Sequence, residues 1–184
     1  MGPGMLLCRV SIQFFLVCET APDRHYLDGT LYVLNELSNT VSAYTLPPLG
    51  DGTEVTHITT LSSLKPQSVA SPDMLAAEIL LSRGPNPLLY LSNRNEDHPE
   101  GDAITIFSPS SAETPFHYVG EVRTGLKHLR AVTFGGENDR YLVLGGLNGG
   151  GIKVFERSED GTQLKELAHL ADGIVGKPTS FLFL

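Results

Sequence analysis

Leu31-Tyr32-Val33-Leu34-Asn35, Leu89-Tyr90-Leu91-Ser92-Asn93 and Tyr141-Leu142-Val143-Leu144-Gly145 read as one pattern met three times. Each is a short apolar run, followed after a polar connection by a second run that ends in an aromatic: Tyr44, Phe107 and Phe155. Runs of this length bounded by turn formers are strands. Their recurrence at roughly 50 residues belongs, among all-β repeats, to propeller blades. The expected fold is all-β, a propeller of four-stranded antiparallel blades.

Working outward from the three runs, the second unit reads as strands over 76–82, 88–92, 103–107 and 116–123, and the third over 129–135, 141–145, 152–156 and 163–170. An offset of 52 carries Tyr90 onto Leu142 and Glu78 onto Arg130 without a gap. Unit one supplies 31–34, 41–46 and 55–61, with Arg9 to Val17 as its innermost strand, displaced within an atypical segment 1–29. The propeller domain is placed at 30–184, and Thr179 to Leu184 reads as the first strand of a further unit. That makes about three blades and one strand, whereas closed rings take about four to eight blades. The expectation is an incomplete ring, as a piece of a larger propeller or as a chain that self-associates through its open blade faces.

Bulk properties narrow the function. The chain has 184 residues, 41% of them hydrophobic and 18% charged, an ordinary globular composition. A net charge of -8 offers no basic stripe, which argues against a nucleic-acid partner and against an anionic membrane. No run reaches the roughly 18 apolar residues of a membrane span. Arg9 interrupts the apolar stretch Met5 to Cys18, and no small-residue cleavage pattern follows it. Cys8 and Cys18 lie ten residues apart in an extended segment. At strand rise this is roughly 33 Å, out of disulfide reach. A reduced, cytoplasmic protein is expected.

The residues also resemble a known family. Leu31-Tyr32-Val33-Leu34-Asn35-Glu36-Leu37, then Ala77-Glu78-Ile79, then Ser92-Asn93-Arg94, then Asp102-Ala103-Ile104-Thr105-Ile106-Phe107, in that order, resemble the seven-bladed lactonases, which include propeller-type 6-phosphogluconolactonases and carboxy-muconate cyclases. The resemblance runs from about Thr30 to the C-terminus and implies the last three blades of seven. It implies a channel site that uses an acidic residue of the Ala-Glu-Ile strand, here Glu78, and an arginine opening the next inner strand, here Arg130. Arg94 is a further candidate for binding substrate. The family's Gly-Pro-Arg-His stretch has no equivalent, because Arg24-His25 lies only six residues before Leu31 and lacks the Gly-Pro context.

The chemistry of these residue types fits such a site. A carboxylate in a channel activates or orients water, and a guanidinium binds a carboxylate or phosphate bidentately and stabilises an oxyanion. The expected substrate is a small anionic lactone or carboxylic acid, and no cofactor is called for. Three readings follow: a lactonase acting on a sugar-acid lactone such as 6-phosphogluconolactone, a muconate-cyclase type isomerase, or a propeller piece without activity that binds a partner. Glu78 and Arg130 on adjacent strands also suit an ordinary structural ion pair, and Asn35-Glu36 and Asn93-Arg94 suit turn chemistry. His128, two residues before Arg130, is a candidate to face the same side and contact substrate.

Other features point to less. Gly145-Gly146-Leu147-Asn148-Gly149-Gly150-Gly151 lies between strands rather than before a helix, which makes it a β-connection instead of a phosphate cradle. The acidic stretch Asn95 to Asp102 carries oxygen ligands, yet its Pro99 and Gly101 suit a solvated insertion. Among His25, His57, His98, His117, His128 and His169 no zinc spacing occurs, so no metal site is expected.

Overall fold

The computed structural model describes residues 12–17, 30–47, 54–83, 86–109 and 116–182. Among the described residues twelve strands form three sheets of four, each sheet in chain order and antiparallel throughout. The first blade is β1 (Ile12–Val17), β2 (Thr30–Asn35), β3 (Thr40–Thr45) and β4 (Thr56–Ser62). The second is β5 (Leu75–Leu81), β6 (Leu89–Arg94), β7 (Ala103–Ser108) and β8 (His117–Arg123). The third is β9 (Lys127–Gly135), β10 (Tyr141–Gly149), β11 (Ile152–Arg157) and β12 (Leu164–Leu170). Successive blades meet along their inner strands, with β5 against β1 and β2, and β9 against β5 and β6.

Alternation along the strands explains the stacking. In the middle blade, Leu89, Leu91 and Phe107 enter a core shared with Tyr32, Leu34, Val41 and Ala43 of the first blade. Their neighbours Leu88, Tyr90, Ile104 and Ile106 enter a second core with Leu129, Leu142, Leu144 and Phe155 of the third. Both faces of β6 and β7 are therefore buried, so these strands read as nearly continuous apolar runs. The outer strands β4 and β12 are mostly exposed, β4 being rich in threonine and β12 leaving Leu167 and Leu170 in the open.

One cross-strand pair recurs in every blade: Leu31 opposite Tyr44, Leu89 opposite Phe107 and Leu142 opposite Phe155. This corrects the alignment drawn from the sequence. Leu142, not Tyr141, occupies the place of Leu89, and blade three follows blade two by 53 residues, not 52. The core agrees, since Ala76, Leu89 and Leu91 answer to Leu129, Leu142 and Leu144 on the equivalent face. A slip of one residue exchanges the two faces of a strand, so burial decides between the offsets. Arg130 then answers to Ala77, and Glu78 to Ala131.

The Gly-rich stretch, expected as a β-connection, is mostly strand: β10 runs on to Gly149, and Gly150 and Gly151 make the turn to β11. The further strand expected at the C-terminus is not formed in its described part, residues 179–182. Pro178 and Phe181 instead lie over Gly145 of β10, where an added Cβ would meet them at 2.8 and 2.9 Å. Cys8, Cys18, Arg24 and His25 lie outside the described residues. No helix of the described residues is long and apolar enough to cross a membrane.

Candidate active site

Each innermost strand of blades two and three carries a β-bulge at its entry. In β5, Ala76 pairs with Asn93 and Ile79 with Leu91, so Ala77 and Glu78 together face Ser92. In β9, Leu129 pairs with Gly146 and Ala131 with Gly145, leaving Arg130 without a ladder partner. A bulge re-aims side chains and breaks strict alternation. Ala76 and Ile79, three apart, both enter the first core. The pair between them, Ala77 and Glu78, is turned away from it. The freed Glu78 amide donates to Ser92 Oγ at 2.9 Å, which keeps the distortion hydrogen-bonded.

Glu78 is half-buried, and burial lifts its carboxyl to about 7, with the nearby Arg130 charge pulling the other way. No ion pair joins the two among the described residues. Neither side chain donates or accepts a hydrogen bond there, so the ordinary structural salt bridge considered for them is not what is seen.

Arg94 closes β6 and is buried, 6% exposed. Its Nη2 pairs with Glu36 of the first blade, while its Nε finds no partner among the described residues. Burial, and secondarily the charge of Arg130, pushes the Arg94 guanidinium down from its ordinary value. Leu31 and Leu89 set the step between blades one and two at 58 residues. The same step carries Asn35-Glu36 onto Asn93-Arg94, so opposite charges stand at one repeat position and meet between neighbouring blades. Reading both as turn residues missed this. The signal was the repeated asparagine followed by charges of opposite sign.

His128 adopts a left-handed backbone, φ 57°, at the entry to β9. Its Nδ1 lies 2.6 Å from Asn95 Oδ1. Burial and the charges of Arg94 and Arg130 hold its imidazole below the usual histidine value, against the pull of Asp102. His128 and Asn95 line a cleft of about 790 Å³ with Asp73, Asp97, His98 and Lys127. The cleft opens on the end of the blades where the β4–β5, β6–β7 and β8–β9 connections lie. Glu78, Arg94 and Arg130 are not part of its lining. His128 joins the two groups, since its proton is sensitive to both arginines.

The acidic stretch 95–102 is more than the expected solvated insertion. Asp102 is buried, and its carboxylate accepts from the amides of Glu96 and Leu129, each at 2.8 Å. Burial nevertheless raises its carboxyl above the ordinary aspartate value. Glu96 accepts from the Ala103 amide at 2.8 Å and pairs with Arg123. Asp102 thereby ties the connection to the third blade, and Glu96 ties it to β7 and β8 of its own blade. No metal-holding cluster of His, Cys, Asp and Glu occurs among the described residues.

Comparisons with known proteins agree with this architecture. A 24%-identical protein of Bacteroides fragilis NCTC 9343, provisionally assigned as a 6-phosphogluconolactonase, superposes with a TM-score of 0.67 over 90% of this chain and 40% of its own. A protein of Bacteroides uniformis ATCC 8492 with the same provisional assignment is 28% identical, with a TM-score of 0.59 over 74% of this chain and 35% of its own. The periplasmic gluconolactonase of Pseudomonas aeruginosa is 21% identical, with a TM-score of 0.66 over 82% of this chain and 38% of its own. The chain thus spans about two fifths of the length of the structures it resembles. No curated protein matches it. The family model described as lactonase, 7-bladed β-propeller, matches residues 22–183, and the chain belongs to that family.

Proposed function

We propose that this chain contributes a lactonase site that hydrolyses a sugar-acid lactone, 6-phosphogluconolactone being the first substrate to test. The observation that carries the reading is Glu78 in its bulge: a carboxyl lifted to about 7 beside an arginine with no ion pair among the described residues. A group titrating near 7 is half in its basic form at neutral pH and suits proton transfer from water. Glu78 takes the proton of the attacking water as its oxygen adds to the lactone carbonyl. Collapse of the tetrahedral intermediate breaks the ring C–O bond, and the ring oxygen leaves as a hydroxyl on receiving a proton. Arg130 supplies donors for the substrate's anionic group and for the developing oxyanion, and Arg94, buried against Glu36, adds positive charge beside it.

The test is acid release from 6-phosphogluconolactone by the full chain, corrected for spontaneous opening. Turnover is expected to rise as pH increases through about 7, where Glu78 loses its proton. Glu78→Gln is expected to lower it about 100-fold, the scale of general acid–base work. Undiminished turnover in a folded Gln variant removes Glu78 from the mechanism. Product analysis after incubation with a muconolactone separates the cyclase type.

A further inference from the structure

Three polar groups next to the arginines form a relay that the chemistry above does not use. Asn95 Nδ2 donates to the carbonyl of Asp73 at 3.0 Å. An amide nitrogen is a donor only, so this contact fixes which end of the Asn95 side chain is oxygen. Asn95 Oδ1 then faces His128 Nδ1 at 2.6 Å and can only accept. The proton of the neutral ring is thereby assigned to Nδ1, and Nε2 is left as a lone-pair acceptor. Nε2 makes no hydrogen bond among the described residues. Asn95 and His128 both hold left-handed backbone, φ 61° and 57°. Asparagine and histidine tolerate it better than most residues, but it is uncommon, and two such residues set face to face mark a site whose geometry is held by its surroundings.

We propose that His128 is a specificity-determining residue, its Nε2 accepting a hydrogen bond from a hydroxyl of a polyhydroxy acid whose anionic group lies on Arg130, two residues along β9. The inference rests on the lactonase reading and adds to it the part of the substrate that is recognised. A neutral acceptor welcomes a hydroxyl and repels a carboxylate. The position therefore favours a sugar acid over an unhydroxylated polycarboxylate. The surrounding charges support the neutral ring, since Arg94 and Arg130 both oppose protonation while Asp102 alone favours it.

Two measurements on the full chain decide the matter. In ¹⁵N-histidine spectra the signal lost in His128→Gln is expected to report the Nδ1–H tautomer; the Nε2–H tautomer overturns the proposal. By calorimetry, wild type is expected to bind 6-phosphogluconate more tightly than 6-phosphohexanoate, which carries the same charges without hydroxyls. His128→Asn suits the left-handed backbone but is too short to reach the ligand. It is expected to weaken 6-phosphogluconate about five- to tenfold, the scale of one hydrogen bond, and to leave 6-phosphohexanoate unchanged. His128→Gln, which can offer an amide oxygen, is expected to retain more of the affinity. Equal weakening of both ligands by His128→Asn, or no preference in wild type, overturns the assignment to His128 while leaving the Glu78 test standing. Failure of wild type to bind either ligand overturns this proposal and the lactonase reading together.

Discussion

Glu78 carries opposite consequences for activity and for stability. Burial penalises its charged form, so the folded chain keeps the proton up to about pH 7, whereas the unfolded chain releases it near the ordinary value of 4.5. The folded state binds the extra proton between those values, and stability falls as pH rises from about 4.5 to about 7. Discounted for the solvent that still reaches the half-buried group, the cost above pH 7 is about 1–2 kcal/mol. Glu78→Gln is therefore expected to raise stability by that amount at pH 8 and to leave it unchanged at pH 4, as measured by urea denaturation. A gain of equal size at both pH values would show that charge burial is not the cause. The candidates Glu78, Arg94, Arg130 and His128 were named from the sequence, through the family resemblance and their spacing. Their relations were not. The repeated asparagine followed by opposite charges hints that Glu36 reaches Arg94, but nothing in the spelling says that Asn95 orients His128, because that contact exists only once the β6–β7 and β8–β9 connections meet.

Among the elements, strands were legible to within a few residues because their apolar runs are bounded by turn formers. The bulges were not, since one extra residue leaves composition and periodicity almost unaltered. The one-residue slip arose elsewhere, from matching Leu89-Tyr90 to Tyr141-Leu142 as apolar–aromatic runs, and the buried pair Leu142–Phe155 together with the shared core exposes it. Backbone crowding gives a test of the third blade. Gly151 has φ +71°, and an added Cβ would stand 2.1 Å from the Leu170 carbonyl oxygen. Gly151→Ala is expected to cost about 2 kcal/mol or more, because strain and collision act together. Gly120→Ala, where the nearest atom would be at 3.9 Å, is expected to be nearly neutral. Comparable losses at both sites would argue against the close approach of β10–β11 to the end of β12.

Among the described residues the blades form a stack in which the middle one packs against both others. Amide exchange is expected to be slowest in β6 and β7, whose two faces are buried, and faster in β4 and β12. Uniform exchange across the three sheets would contradict this order. Glu36 and Arg94 pin the first blade to the second. Glu36→Gln should destabilise by about 3–5 kcal/mol, the usual result of stranding a buried charge, whereas replacing both residues by apolar ones of similar size should cost far less. The pair also works as an address. Equivalent positions in the three blades hold Glu36, Arg94 and Leu147, so the repeats are alike in shape yet not interchangeable. A third blade docked directly on the first would set Leu147 against Glu36, and a duplicated second blade would set arginine against arginine. The opposite charges at this one repeat position therefore match the second blade to the first rather than to a copy of itself, and the first to the second rather than to the third.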